Sequence, residues 1–367
     1  MPHLFFKKES VIMRINLKKS FFSEKEFVIV ENKDMRAIAF RYSTGVEAIR
    51  VENKKGSFTI LPFQGQQIWR AEFMGRNIGM KTLFEEPVPT KDLLKTYGCF
   101  LMHCGISGMG VPQEGDSHAQ HGEIPNGDYA TAYIDCGEDY IAVGGSYIYN
   151  ESFKRNYTFS PECRLYADDT VLKFNIELEN RRNEPMEYMY LAHINFRPIN
   201  GAELIYSGDY GSVKPYRNVE NPQTEDEKKL YDYLNRLDEN PEIHHKVGAE
   251  GQCYKPEICF NVKYKGDENN RAYTLQYTEN DGACYTNHPV DVLPEAIRWI
   301  ARTSDEDSMG MVLPATAEHL GYSHAKRNGQ IKVLGPNEKL NFTLEAGYLN
   351  AEQAKEVKSK IEKINIG

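Results

Sequence analysis

The sequence has little of what several functions need. Among its 367 residues are only two tryptophans, seven scattered cysteines and no run of 18 apolar residues. The missing apolar run argues against a transmembrane helix. The cysteines are odd in number and contain no Cys-x-x-Cys pair, so they read as reduced thiols, several of them in core positions. Cytoplasm is therefore the expected compartment. The N-terminal Met1-Pro2-His3-Leu4-Phe5-Phe6-Lys7-Lys8 lacks an apolar core followed by a small-residue cleavage site, so no secretory signal is expected. Positive charge is also in deficit: 44 Lys and Arg against 53 Asp and Glu give a net charge of −9. That balance argues against nucleic acid or an anionic membrane as partner. There is no GxSxG, no phosphate-cradling glycine loop and no dinucleotide fingerprint.

What is present is a strand-forming chain. Hydrophobic residues make up 40% and charged residues 26%, enough apolar mass for a sizeable core. Tyrosine, at 23 residues, suits strands and offers sugars a flat apolar face with a hydroxyl handle. Runs such as Phe27-Val28-Ile29-Val30-Glu31 and Phe58-Thr59-Ile60-Leu61 are separated by turn chemistry such as Asn53-Lys54-Lys55-Gly56. Leu172, Phe174, Ile176 and Leu178 alternate with Lys173, Asn175, Glu177 and Glu179, the period of a half-buried antiparallel strand. Met186 to Phe196 is apolar on both faces, with Met189 and Leu191 on one and Tyr188, Tyr190, Ala192, Ile194 and Phe196 on the other. Such a strand is expected inside a sandwich.

Residues 222–240 read as a charged helical insertion with Leu230, Tyr233, Leu234 and Leu237 on one stripe. Gln330–Leu334 and Lys339–Leu344 are expected to pair as a hairpin across Gly335-Pro336-Asn337. A helix over 351–364 closes the chain, capped by Asn350 with Gln353 and striped by Ala354, Val357, Ile361 and Ile364. No repeat, low-complexity tract or linker divides the chain. Roughly twenty short strands with two helices predict an all-β fold, one large antiparallel β-sandwich as a single domain over 1–367.

Chemistry concentrates in His118-Ala119-Gln120-His121-Gly122-Glu123-Ile124-Pro125-Asn126-Gly127, a segment too rich in Gly, Pro and Asn for a regular element. His193, on the doubly buried strand, is the second focus, and the two stretches are expected to meet in one cleft. The plain alternatives are a core histidine bonded to backbone for His193, and solvated loop residues for His118, His121 and Glu123. A divalent metal held by His118, His121 and Glu123, with His193 or His103, is a further alternative. The spacing is no metal signature, because no helix presents both loop histidines on one face; no cofactor and no resident metal are expected. His244-His245 reads as surface. His319 and His324, flanking Gly321-Tyr322, either line the same cleft or belong to an ordinary polar loop.

Five segments then occur in order: Cys104-Gly105-Ile106-Ser107 with Gly110, His121-Gly122, Lys154-Arg155-Asn156-Tyr157-Thr158-Phe159, Leu165-Tyr166-Ala167-Asp168-Asp169, and Tyr190-Leu191-Ala192-His193-Ile194-Asn195-Phe196. Together they resemble the DUF4432 branch of the aldose 1-epimerase (galactose mutarotase-like) proteins, from Leu61 to Tyr348. The resemblance implies a β-supersandwich whose concave cleft binds a monosaccharide. It implies that His121, next to glycine, contacts the sugar and that His193 is the general acid. It also implies a late carboxylate as general base. At the matching position stands Leu313, directly before Pro314, and Glu318 five residues later is the candidate that could reach back. His118, Glu123, Asn126, Arg155, Asn195 and Arg298 are candidate substrate contacts.

The expected activity is that of an aldose 1-epimerase-like isomerase opening the ring of a monosaccharide or derivative by acid/base catalysis, with a small-molecule sugar as partner and neither nucleic acid nor membrane. A metal-dependent sugar isomerase or lyase and a non-catalytic sugar-binding protein are the alternatives. Burial penalises the imidazolium, so His193 serves as acid only where a carboxylate or the bound substrate supports its charge.

Overall fold

The computed structural model describes residues 13–248 and 257–366; the Met1–Lys8 segment discussed above lies outside them. Two large antiparallel sheets, of nine and thirteen strands, face each other, and among the described residues there are 22 strands and three α-helices. The nine-stranded sheet is centred on Arg155–Tyr166, Val171–Asn180 and Lys339–Leu349. The thirteen-stranded sheet runs outward on both sides from the adjacent strands Leu101–Ile106, Met186–Ile194 and Asp307–Ala315. No helix among the described residues is long and apolar enough to cross a membrane.

The alternation legible in Leu172 to Glu179 is the alternation of burial along Val171–Asn180, whose apolar side faces the opposite sheet. Met186–Ile194 is buried at all but one residue. Tyr188, Tyr190, Ala192 and Ile194 join the core between the sheets, where the Tyr190 ring meets Phe342 at 5.2 Å and Phe159 at 6.0 Å. Met189 and Leu191 join a separate apolar layer with Trp69, Met102, Ile297 and Leu313 on the sheet's other face. His193, two residues beyond Leu191, follows the same side by the period of a strand.

Local signals hold at the helices. Thr224 and Glu227 form a capping box that starts Glu225–Glu239, and Leu230, Leu234 and Leu237 are buried beneath it. Asn350 Oδ1 accepts from the Gln353 amide at 2.9 Å, and Gln353 Oε1 accepts from the Asn350 amide at 3.1 Å. The helix they start, Ala351–Ile366, lays Ala354 and Ile361 on the outer face of the nine-stranded sheet.

Two expectations fail. The 330–344 hairpin does not form: Lys332–Leu334 pairs with Met186–Tyr188 in one sheet, while Lys339–Leu349 pairs in the other. The turn between them is a sheet-to-sheet crossover, held by Asn180 Nδ2, which donates to the carbonyls of Gly335 and Glu184 at 2.8 Å. A third helix, Gly321–Arg327, was not expected. At seven residues it carries no periodic stripe, and it is anchored from outside by Asp116, which accepts from the Ser323 amide at 3.1 Å and from the Ser323 hydroxyl.

Candidate functional site

On the face of the thirteen-stranded sheet turned away from its partner lies a cleft of about 320 Å³. The strands supply His193, Trp299 and Leu313; loops supply Tyr97, His121 and His319. The two stretches expected to meet do meet. The rings of His121 and His193 are 5.2 Å apart and nearly perpendicular, and His193 stands edge-on to Trp299 at 5.1 Å.

His193 Nδ1 lies 2.8 Å from Asn195 Oδ1, and Asn195 Nδ2 donates to the Cys99 carbonyl at 3.0 Å. The second bond fixes which end of the amide is oxygen, so Nδ1 carries the proton and Nε2 keeps its lone pair. The Tyr97 hydroxyl sits 3.3 Å from that Nε2. Burial pulls His193 down to about 4, with the Asn195 bond opposing. His121 is held well below its usual range by burial first, and then by His193, His319 and His118. His319 is lowered to about 4 by burial. At neutral pH the cleft therefore contains three uncharged imidazoles.

His121 is clamped by backbone. Its φ is +61°, its amide donates to the Gly110 carbonyl, and its carbonyl accepts from the Gly105 amide, both at 2.9 Å. Gly122 follows at φ +81°, and a Cβ there would fall 2.2 Å from the Gly105 carbonyl oxygen. The glycine thus admits the close approach of the protein's own backbone.

The remaining candidates separate. Glu318 is no cleft residue: its carboxylate pairs with His324 Nε2 at 2.6 Å. Arg298 is 1% exposed, on the opposite face of its strand from Trp299, with Nε donating to the Met311 carbonyl and its guanidinium against Tyr206, Phe260 and His244. Its partner His244 is 2% exposed rather than at the surface, because the helical insertion and the turn after it cover that end of the sheet. His118 donates through Nδ1 to the Ala119 carbonyl at 2.8 Å and accepts through Nε2 from the Tyr322 amide at 3.3 Å, which ties its loop to the unexpected helix.

Glu123 accepts from Tyr157 at 2.5 Å, from the Ser107 amide at 3.0 Å and from the Ser107 hydroxyl. Arg155 lines a separate hollow with Lys154 and Tyr149, and Asn126 borders a hollow beside the cleft. The proposed metal ligands do not converge. Among the described residues no group of three or more His, Cys, Asp and Glu is arranged to hold an ion, and His103 lies on the inter-sheet face with its ring 5.4 Å from Phe159.

Two carboxylates that the sequence did not single out line the cleft, Glu306 and Glu257. Glu306 ends the tight turn Thr303–Glu306, where its amide donates to Thr303 Oγ1 at 2.9 Å. Burial raises its carboxyl above the usual range, and Asp305 adds to the rise. Leu313 does face the cleft, so the position where a base was expected is present but apolar. In sequence, Thr303-Ser304-Asp305-Glu306 looks like any solvated turn. Only the pairing of Glu295–Arg302 with Asp307–Ala315, which points that turn toward Trp299, distinguishes it.

The profile of a family described as "Domain of unknown function (DUF4432)" matches residues 43–347. Comparison with curated proteins gives no match. Among solved structures the chain is similar to a Klebsiella pneumoniae protein described as a candidate aldose 1-epimerase, at 18% identity and a TM-score of 0.79, over 96% of this chain and 91% of that one. It is similar also to a galactose mutarotase-like protein from Clostridium acetobutylicum, at 15% identity and a TM-score of 0.59, over 87% and 100% of the two chains. A galactose mutarotase related enzyme from Lactobacillus acidophilus shares 11% identity at a TM-score of 0.54, over 83% and 98%. At such identities the likeness establishes the fold, which is galactose mutarotase-like.

Proposed function

The chain belongs to the DUF4432 family, and from that premise and the cleft we propose that it is an aldose 1-epimerase-like isomerase, interconverting the anomers of a monosaccharide or a sugar derivative by proton transfer. One observation supports this reading above the others: His193, whose Nε2 keeps its lone pair, lines the same cleft as the Glu306 carboxyl, beside the aromatic faces of Trp299 and Tyr97. Aromatic faces suit the apolar C–H side of a pyranose, and the two titratable groups suit its anomeric and ring oxygens.

Ring opening moves one proton in and one out. His193 Nε2 takes the proton of the C1 hydroxyl, the carboxylic acid of Glu306 gives its proton to the ring oxygen, the bond from C1 to that oxygen breaks, and C1 becomes an aldehyde. After rotation about C1–C2, closure returns both protons. A neutral imidazole with a carboxylic acid holds the same single mobile proton as an imidazolium with a carboxylate. Burial raises the Glu306 carboxyl and lowers His193, each toward its uncharged form, and a bound sugar that displaces water acts in the same direction. His193 thus begins as proton acceptor rather than as the acid that the family resemblance implied.

The test is anomer exchange, followed by NMR over a panel of aldoses. His193→Ala and Glu306→Gln should each lower kcat by about 10²- to 10⁴-fold, the usual contribution of one proton mover. Undiminished exchange in either variant sinks its assigned role. The apolar side chain of Leu313 favours a second reading, a sugar-binding protein without turnover. Sugar binding in calorimetry, with no exchange on any aldose, would select it.

A further inference from the structure

The turn at Leu93 and Leu94 and the side chain of Gln120 wall the His193 cleft, and the same three residues wall a second hollow of about 510 Å³. The two spaces therefore adjoin along one ridge. Both combine apolar walls with a few polar groups. The cleft sets its histidines and Glu306 beside Tyr97 and Trp299, and the second hollow sets Lys91, Asp92, Glu123 and Asn126 around one aromatic face, Tyr147.

That face is held rigidly. The Tyr147 ring leans on Tyr129 at 5.8 Å and on Tyr149 and Tyr157 at 6.3 Å, and Gly127 approaches so closely that a Cβ there would fall 2.9 Å from the ring. Opposite chemistry comes from Asn126, which is 4% exposed. Its Oδ1 accepts from Gln67 Nε2 at 2.7 Å, yet its Nδ2 has no partner among the described residues. A buried donor left unmatched is costly, and a ligand oxygen that reached it would recover that cost. An immobile aromatic face and an unused amide donor, with the exposed Asp92 beside them, form a set that recognises a second pyranose by its C–H face and its hydroxyls.

We propose that this hollow is a second sugar subsite. The substrate is then a reducing disaccharide or longer glycan, with its anomeric sugar in the His193 cleft and the adjoining sugar on Tyr147. The proposal rests on the isomerase reading for the first sugar, and it assigns the class of substrate.

The experiment compares maltose, cellobiose and lactose with glucose, in both anomer exchange and calorimetry. At least one disaccharide should exceed glucose about tenfold in kcat/KM, the yield of one modest buried contact. Ala119 is exposed and lines the second hollow but not the first, so Ala119→Trp fills that hollow without disturbing the core. It should erase the advantage, as should Tyr147→Ala, while Tyr147→Phe keeps it. Absence of any disaccharide preference overturns the proposal, as does an Ala119→Trp variant that weakens glucose and disaccharides alike. If no sugar is turned over, the isomerase reading fails by itself and calorimetry judges the subsite. Tighter disaccharide binding that Ala119→Trp removes sustains it; equal or absent binding of both sugar classes rejects it.

Discussion

Acid should unfold this protein through its histidines. Burial lowers His103 and His288 to about 3, and His193 and His319 to about 4, against 6.5 for a free imidazole. A folded value below the unfolded one means that the unfolded chain takes up protons first. The stability contributed is complete above pH 6.5 and is lost as pH falls toward the folded values. At pH 5 each such residue costs about 2 kcal/mol, because the unfolded imidazole is almost wholly protonated and the folded one is not. Four of them together cost about 8 kcal/mol, within the range of a whole domain's stability.

His288 isolates the effect. It is fully buried, its ring 5.3 Å from Tyr264, and neither ring nitrogen has a partner among the described residues. His288→Phe keeps the shape and removes the titration. In urea unfolding at pH 7, 6 and 5, the variant should gain on the parent by about 2 kcal/mol between the ends of the series. A gap between variant and parent that does not change with pH would refute the reasoning.

Three further outcomes follow from the same geometry. The kcat/KM for anomer exchange should not fall between pH 7 and pH 6, where the fold persists and His193, lowered to about 4 by burial, still keeps its lone pair on Nε2; a fall with a midpoint near the 6.5 of a free imidazole would exclude it as the acceptor. Asn350→Ala should cost about 1 kcal/mol by removing the reciprocal cap of the last helix, with no change in sugar binding by calorimetry. Gly122→Ala, at φ +81° against the Gly105 carbonyl, should cost at least about 1 kcal/mol in thermal unfolding and lower exchange as well, since His121 must move with the loop.

The sheets were legible because their signals are local. The period of two in Leu172 to Glu179 and the doubly apolar Met186 to Phe196 each follow from one face or both being covered, and the two apolar sets of the latter strand lie in the two predicted layers. The cap at Asn350 is likewise a three-residue signal. What failed depends on distant partners. Gly335-Pro336-Asn337 has hairpin chemistry, but the carbonyl of Gly335 bonds to Asn180, and the flanking strands belong to different sheets. Gly321–Arg327 is helical because Asp116 and His118, some two hundred positions earlier, hold its first amides. The site divides in the same way. His193 was legible from its strand, whereas Glu306 became a cleft residue only through the register of two strands.

Leu313 and Glu306 offer two accounts of the base, and one substitution separates them. Leu313 is 2% exposed, lies against Gly310 and faces the cleft. Leu313→Glu would set a carboxyl where the family resemblance expects one. The change forfeits about 1.5–3 kcal/mol of apolar burial, and burial raises the new carboxyl's pKa, so it would enter as an acid able to protonate a ring oxygen. If Glu306 already fills that role, Leu313→Glu adds little to the parent and restores exchange in the Glu306→Gln background, because one mobile proton suffices. If the parent has no proton donor at all, Leu313→Glu alone should raise exchange by at least about 10², the lower bound for a positioned acid or base. That second result, measured on the same sugars, would remove Glu306 from the mechanism and mark the parent cleft as one that binds sugar without turning it over.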